Sequence, residues 1–230
     1  MNEIILKTIK KYEIERSKYE IARTKYETEY QKEKNRVVWR KYKLKDLFIR
    51  KAPPSTNVPA KELTIYDTPF DGSIALITRA ESNNGVKGFI DKEDFPTLKK
   101  GITYNDQFSL FLFHNYEFTT IKDHLSIITA SKDKLQKIME ENDFVDFFMT
   151  TVLNRIFSKK IFSFSFTGTE YRFDRELILL PCIEVEKPED CIWEEDGKFY
   201  TLAVDYISYL YLWGMMNKKQ KLIENYSNRY

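Results

Sequence analysis

The chain has 230 residues, 42% apolar and 31% charged with 15% aromatic, enough for one fair-sized domain with appendages and a real core, so global disorder is excluded. The formal net charge of +2 hides an asymmetry: residues 1–51 carry 16 basic and 8 acidic side chains, the remainder 21 and 27. A polyanionic partner is therefore allowed by charge but not demanded by it. Residues 2–35 contain no Gly or Pro and read as one helix. A seven-residue repeat runs through it: Lys11-Tyr12-Glu13-Ile14, Lys18-Tyr19-Glu20-Ile21, Lys25-Tyr26-Glu27-Thr28. Ile5, Tyr12, Tyr19 and Tyr26 thus share one stripe, a helix-packing seam of coiled-coil type. Ile14 and Ile21 face about 200° away, so the helix has two surfaces to satisfy.

Composition changes at Val37-Val38-Trp39, and Lys43-Leu44-Lys45-Asp46-Leu47-Phe48 opens a globular unit. Three prolines make 52–62 a loop. Short strands follow at 73–78, 86–90, 101–104, 108–113 and 125–129, separated by turn residues such as Asn83-Asn84-Gly85 and Asn105-Asp106. Residues 133–159 read as one long helix. Phe162-Ser163-Phe164-Ser165-Phe166 alternates as a half-buried strand does. Leu177 to Leu180, stopped by Pro181, and Phe199 to Val204, preceded by the Asp196-Gly197 turn, complete the strands. Residues 205–226 close the chain as helix, broken near Gly214. The class is α+β: a twisted, mostly antiparallel β core with one long internal helix, flanked by a long N-terminal helix and C-terminal helices. Three segments are expected: an N-terminal helix over 1–36, a β-rich domain over 37–185 and a C-terminal hairpin with helix over 186–230.

Catalytic signatures are sparse. The chain has no Gly-x-x-x-x-Gly-Lys phosphate loop, no Gly-x-Gly-x-x-Gly turn and no Gly-x-Ser-x-Gly elbow. Cys182 and Cys191 lack zinc spacing, and His114 and His124 stand without a cysteine cluster, so no metal and no resident cofactor are expected. Only two cysteines, no signal-like segment and no run of about 20 apolar residues fit a reduced, cytoplasmic protein without a membrane partner. Asp190 with Asp196 and Lys198 offers the bare components of a metal-dependent nuclease, which leaves a catalytic nuclease fragment as one alternative. A protein-interaction module using the basic helix as a docking rod is another. The most informative stretch is an apolar strand running into a polar tip, with Thr78, Arg79, Ser82, Asn83, Asn84 and Lys87. Arg can chelate guanine and Asn adenine in the major groove, while Thr, Ser and Lys hold phosphates.

Taken in order, these segments resemble the specificity subunits of type I restriction-modification systems and the related recognition modules of type II enzymes. The resemblance rests on Trp39 and Lys43-Leu44-x-Asp46-Leu47-Phe48, on Gly72-x-Ile74-x-Leu76-Ile77-Thr78-Arg79 with Asn84-Gly85-Val86-x-Gly88-Phe89-Ile90, on Gly101 to Asp106, and on Phe162 to Arg172 followed by Glu176-Leu177-Ile178-Leu179-Leu180-Pro181. It covers residues 39–182. This chain holds one module where many of those subunits carry two, and Asn105-Asp106-Gln107-Phe108 lacks a second glycine pair. The resemblance implies a non-catalytic protein that reads double-stranded DNA. It also implies a partner DNA methyltransferase carrying S-adenosylmethionine, a restriction subunit, and a second copy of the chain for a two-part site. Thr78, Arg79, Asn83, Asn84 and Lys87 are the first candidates for DNA contact; Lys159, Lys160 and Arg172 are the second.

Overall fold

The computed structural model describes residues 3–56, 58–80, 82–92, 95–121, 125–158 and 170–227. Two compact units emerge: one built from residues 1–39 and 181–230, the other from 40–180. Among the described residues no helix is long and apolar enough to cross a membrane.

In the first unit, α1 (Glu3–Lys34) lies antiparallel to α6 (Val204–Ser227). The antiparallel register is read from three contacts. Tyr19 Oη donates to the Met216 carbonyl, Tyr26 meets Tyr209 at 6.5 Å between ring centroids, and Tyr30 stacks on Tyr206 at 5.4 Å. Tyr30 also stacks on Trp213 at 5.0 Å. Tyr19 and Tyr26 of the predicted stripe therefore face a helix of their own chain. Ile5 and Tyr12 also lie on α1, their side chains outside the described set. Ile21, on another face, is 71% exposed. The break expected at Gly214 does not occur, since α6 runs through it. Contacts on both sides, the Trp213 ring on Tyr30 and the Met216 carbonyl accepting from Tyr19 Oη, hold the helix across a residue that alone weakens it by roughly 1 kcal/mol.

A four-stranded sheet takes the order β1-β9-β11-β10, from β1 (Val38–Lys43), β9 (Leu177–Val185), β10 (Trp193–Glu195) and β11 (Lys198–Leu202). β10 and β11 form a hairpin whose turn places Asp196 at φ 53° and Gly197 at φ 72°, the two left-handed residues that a tight two-residue turn requires. β9 does not stop at Pro181. The ring sits in the strand, and its carbonyl accepts from Ala203 N at 2.9 Å.

The second unit holds two further sheets. One has the order β2-β8-β5-β6, from β2 (Phe48–Lys51), β5 (Gly101–Asn105), β6 (Leu110–His114) and β8 (Leu125–Ala130), antiparallel throughout. The other has the order β4-β3-β7, from β3 (Ser73–Ile77), β4 (Val86–Asp91) and β7 (Phe118–Thr120). β3 and β4 are antiparallel, whereas β3 and β7 run parallel, a pairing that three-residue β7 gives no periodicity to predict. The short element expected at Lys43–Phe48 is α2 (Leu44–Leu47), with both leucines buried.

The long helix expected over 133–159 is two helices, α3 (Asp133–Glu141) and α4 (Asp143–Ser158). Asn142 breaks them at φ −140°, its side-chain oxygen accepting from Phe144 N at 3.0 Å in the manner of a helix cap. Lys100 Nζ fastens the junction, 2.8 Å from the Met139 carbonyl, 2.7 Å from Asp143 and 2.9 Å from Asp146. A cation thus sits at the C-terminus of α3, and two acids lie in the first turn of α4, as the helix dipoles favour. Behind β5 and β6, Tyr104 stacks on Phe111 at 4.3 Å, with Phe157 of α4 and Phe173 of α5 (Glu170–Arg175) around them, all buried. The alternating stretch Phe162 to Phe166 lies outside the described residues.

Candidate nucleic-acid interface

β3 is a buried apolar strand, and the chain leaves it at Thr78, where the environment opens. The connection to β4 is closed by Thr78 N donating to the Gly85 carbonyl at 2.9 Å and Gly85 N donating to Ser82 O at 3.0 Å. Asn83, Asn84 and Gly85 take φ of 50°, 53° and 76°, three successive left-handed residues. Asn tolerates that region better than other non-glycine residues. At Gly85 the tolerance would fail: a Cβ there would lie 3.1 Å from Leu112 Cδ1 and 3.3 Å from Thr78 O. The Asn-Asn-Gly order is what lets the loop turn this tightly.

The register between β3 and β4 slips one step at the same end. Leu76 pairs with Gly88 and Ile77 with Val86, which leaves Lys87 as the extra residue of a bulge. Bulges turn a side chain away from its regular course, and Lys87 is exposed. The neighbouring Gly88 has a separate reason to be glycine. Its Cβ would fall 2.4 Å from Ile65 Cγ2 and 2.7 Å from Tyr66 O, where Tyr66 bridges to Phe89 through paired backbone bonds of 2.8 and 2.9 Å.

A second loop supports the first. Asn105, 2% exposed, ends β5 and donates through Nδ2 to the Arg79 carbonyl at 2.9 Å. Its Oδ1 accepts from Gln107 N at 3.1 Å and Phe108 N at 3.4 Å. Arg79 Nη1 donates to Gln107 Oε1 at 3.0 Å. Phe108, 44% exposed, lies in the same turn.

A buried histidine lies under Asn84. The Asn84 amide nitrogen is 3.0 Å from the Phe113 carbonyl, 3.3 Å from His114 Nδ1 and 3.4 Å from Tyr116 Oη. His114 Nε2 is 2.9 Å from Thr103 Oγ1, whose own hydrogen goes to Leu112 O at 3.4 Å. That arrangement requires the tautomer with hydrogen on Nε2, leaving Nδ1 as acceptor toward Asn84 and Tyr116. Burial pushes the imidazole down to about 4, so it is neutral near pH 7.

The first-choice residues Thr78, Arg79, Asn83, Asn84 and Lys87 are thus brought together on one loop and its bulge. Asn83, Asn84 and Lys87 are exposed, Thr78 and Arg79 partly so. Asn84 also anchors the loop from below, a role its residue type did not announce. Arg172 lies on α5 with its side chain outside the described set, and Lys159, Lys160 and His124 lie outside the described residues. Asn105, Gln107 and His114 are additions that sequence reasoning did not assign to the tip; the Asn105-Asp106 turn signal pointed to the first two, and nothing tied His114 to the loop. Of the nuclease alternative, Asp196 occupies the hairpin turn and Lys198 pairs with Glu184 at 2.9 Å. Among the described residues no group of three or more His, Cys, Asp or Glu side chains is placed to hold a metal ion.

No family model matches the chain, and no curated protein does. Among solved structures the chain is similar to the crystal structure of the HsdS subunit from Thermoanaerobacter tengcongensis. The TM-score is 0.36 at 8% identity, over 96% of this chain and 50% of that one. This chain spans half the length of that structure.

Proposed function

We propose that the chain is a sequence-specific reader of double-stranded DNA, the specificity component of a restriction-modification system, with residues 40–180 as the recognition module. Methyl transfer and cleavage belong to partner subunits in this reading. S-adenosylmethionine is bound by the methyltransferase, and a second copy of the chain supplies the other half of a two-part site. The observation that carries it is the tip at 78–87. A partly exposed cation, Arg79, lies with an exposed cation on a bulge and two exposed amides at the end of a buried strand, on a backbone closed by its own hydrogen bonds. Rigid placement of Arg and Asn is what base-edge recognition in a major groove needs, since each bidentate pair contributes about 1–3 kcal/mol of discrimination only in the right geometry. The resemblance of the segments over 39–182 to those of specificity subunits favours the same reading.

The test is selection from randomised duplexes at low salt, with the partner methyltransferase present and absent. Asn84 is a poor probe because its amide also anchors the loop, so Arg79→Ala with Asn83→Gly, which keeps the left-handed backbone at φ 50° accessible, is the cleaner pair. The wild-type chain is expected to enrich a defined site, and the double variant to lose that preference with its thermal unfolding unchanged. A wild-type chain that enriches nothing under either condition refutes the proposal.

A further inference from the structure

Resting on the DNA-reading role above, we infer that the turn at 105–108 is the positioning half of the reading edge, with Gln107 setting the direction in which Arg79 meets a base. Arg79 and Gln107 are 28 residues apart and belong to loops of different sheets, yet both hang from one buried amide. The Asn105 Nδ2 group holds the Arg79 carbonyl at 2.9 Å, and the Asn105 Oδ1 atom holds the Gln107 N–H at 3.1 Å. With 2% exposure, that amide is shielded from competing water. The bridge is closed at the other end by Arg79 Nη1 on Gln107 Oε1, 3.0 Å. The result is a ring in which the backbone and guanidinium of Arg79 are both referred to the same residue.

Such a ring matters for an arginine more than for most side chains. A free arginine surrenders much rotamer freedom when it is ordered against a partner. One already aimed loses less on docking and discriminates between bases more sharply. Gln107 is the acceptor that does the aiming. It occupies one of five guanidinium donors and draws the end of the side chain toward the 105–108 turn. In water an exposed neutral–cation hydrogen bond is weak, but water leaves when a duplex covers the edge, and the bond then strengthens. Gln107 is therefore a positioning residue, and its effect belongs in base preference at one position, not in overall affinity.

The experiment repeats duplex selection on the full chain with wild type, Arg79→Ala, Gln107→Met and Gln107→Glu. Gln107→Met keeps the side-chain length and removes the acceptor; Gln107→Glu keeps the acceptor. Both changes are at an exposed position, and thermal unfolding checks that the fold is kept. The expected result is that Gln107→Met loses at least tenfold in preference at the same base position that Arg79→Ala loses. Binding to scrambled duplex should stay within twofold, and Gln107→Glu should keep the preference at that position. A Gln107→Met chain that selects the wild-type site overturns the inference while leaving DNA reading intact. A Gln107→Glu chain that fails like Gln107→Met overturns the acceptor role. A wild-type chain that selects no site removes both this inference and the reading beneath it.

Discussion

His114 shows how one buried polar group shapes an exposed loop. Its ring is fully buried and links Thr103 of β5 to Asn84 and Tyr116, so the left-handed tip is tied down from inside. The tie depends on Nδ1 staying an acceptor. In the folded chain the imidazole titrates near 4, against about 6.5 in an unfolded chain. Between those values the unfolded state holds more protons, so stability contributed by neutral His114 rises with pH across this window. It is fully present above about 6.5. It is lost as pH falls toward 4, by about 3 kcal/mol in all. Asp146 works in the opposite sense. Burial raises its carboxyl to about 6 in spite of Lys100, so the folded state gains from protonating it between pH 6 and 4. The two effects overlap, and only a difference isolates the histidine. Urea unfolding of wild type and His114→Gln at pH 4.5 and 7 is expected to show wild type losing more stability than the variant on acidification. Equal losses would mean that the ring is not held neutral.

At the scale of elements, the strands were largely legible and the breaks were not. β3, β4, β5 and β8 fall where alternating or continuous apolar runs end in turn residues, because burial of Ile74, Leu76, Ile102 and Ile127 depends on a periodicity that composition displays. The split at Asn142 was hidden because apolar spacing continues across it, and only a side-chain cap and the Lys100 anchorage mark the junction. The supposed break at Gly214 was the converse error, a local propensity overridden by a seam of tertiary rings. In the candidate site, the residue types at 78–87 were readable, but the coupling of Arg79 to Gln107 through Asn105 was not. No sequence pattern links positions in different sheets. The Gly214 result has a direct consequence. Its backbone is helical, and nothing lies within 4 Å of where a Cβ would stand. Gly214→Ala is therefore expected to stabilise the chain by about 0.5–1 kcal/mol, read as a higher thermal midpoint. A lower midpoint would mean that the glycine serves a contact outside this chain.

For the whole molecule, charge decides how a DNA reader of this kind would bind. Residues 40–180 carry 21 basic and 19 acidic side chains, so this unit has little net attraction for a duplex. Non-specific affinity would then rest on a few placed cations, and each one should be visible in the salt dependence. Every phosphate neutralised contributes about 0.9 to the slope of log affinity against log salt concentration. Lys87 is the best placed of these cations. As the extra residue of the β4 bulge, it is turned out of the ladder at the edge of the tip. Arg79 differs, because its guanidinium is referred to Gln107 and is suited to a base edge. The two residues should consequently separate in experiment. Lys87→Ala is expected to weaken cognate and scrambled duplexes alike and to lower the salt slope by about 1. Arg79→Ala should leave that slope nearly unchanged while costing about 1–3 kcal/mol of discrimination. Fluorescence anisotropy between 50 and 200 mM salt on both duplexes measures each quantity. If Lys87→Ala altered base preference and Arg79→Ala altered only the slope, the roles would be exchanged, and the tip would meet the duplex in another orientation.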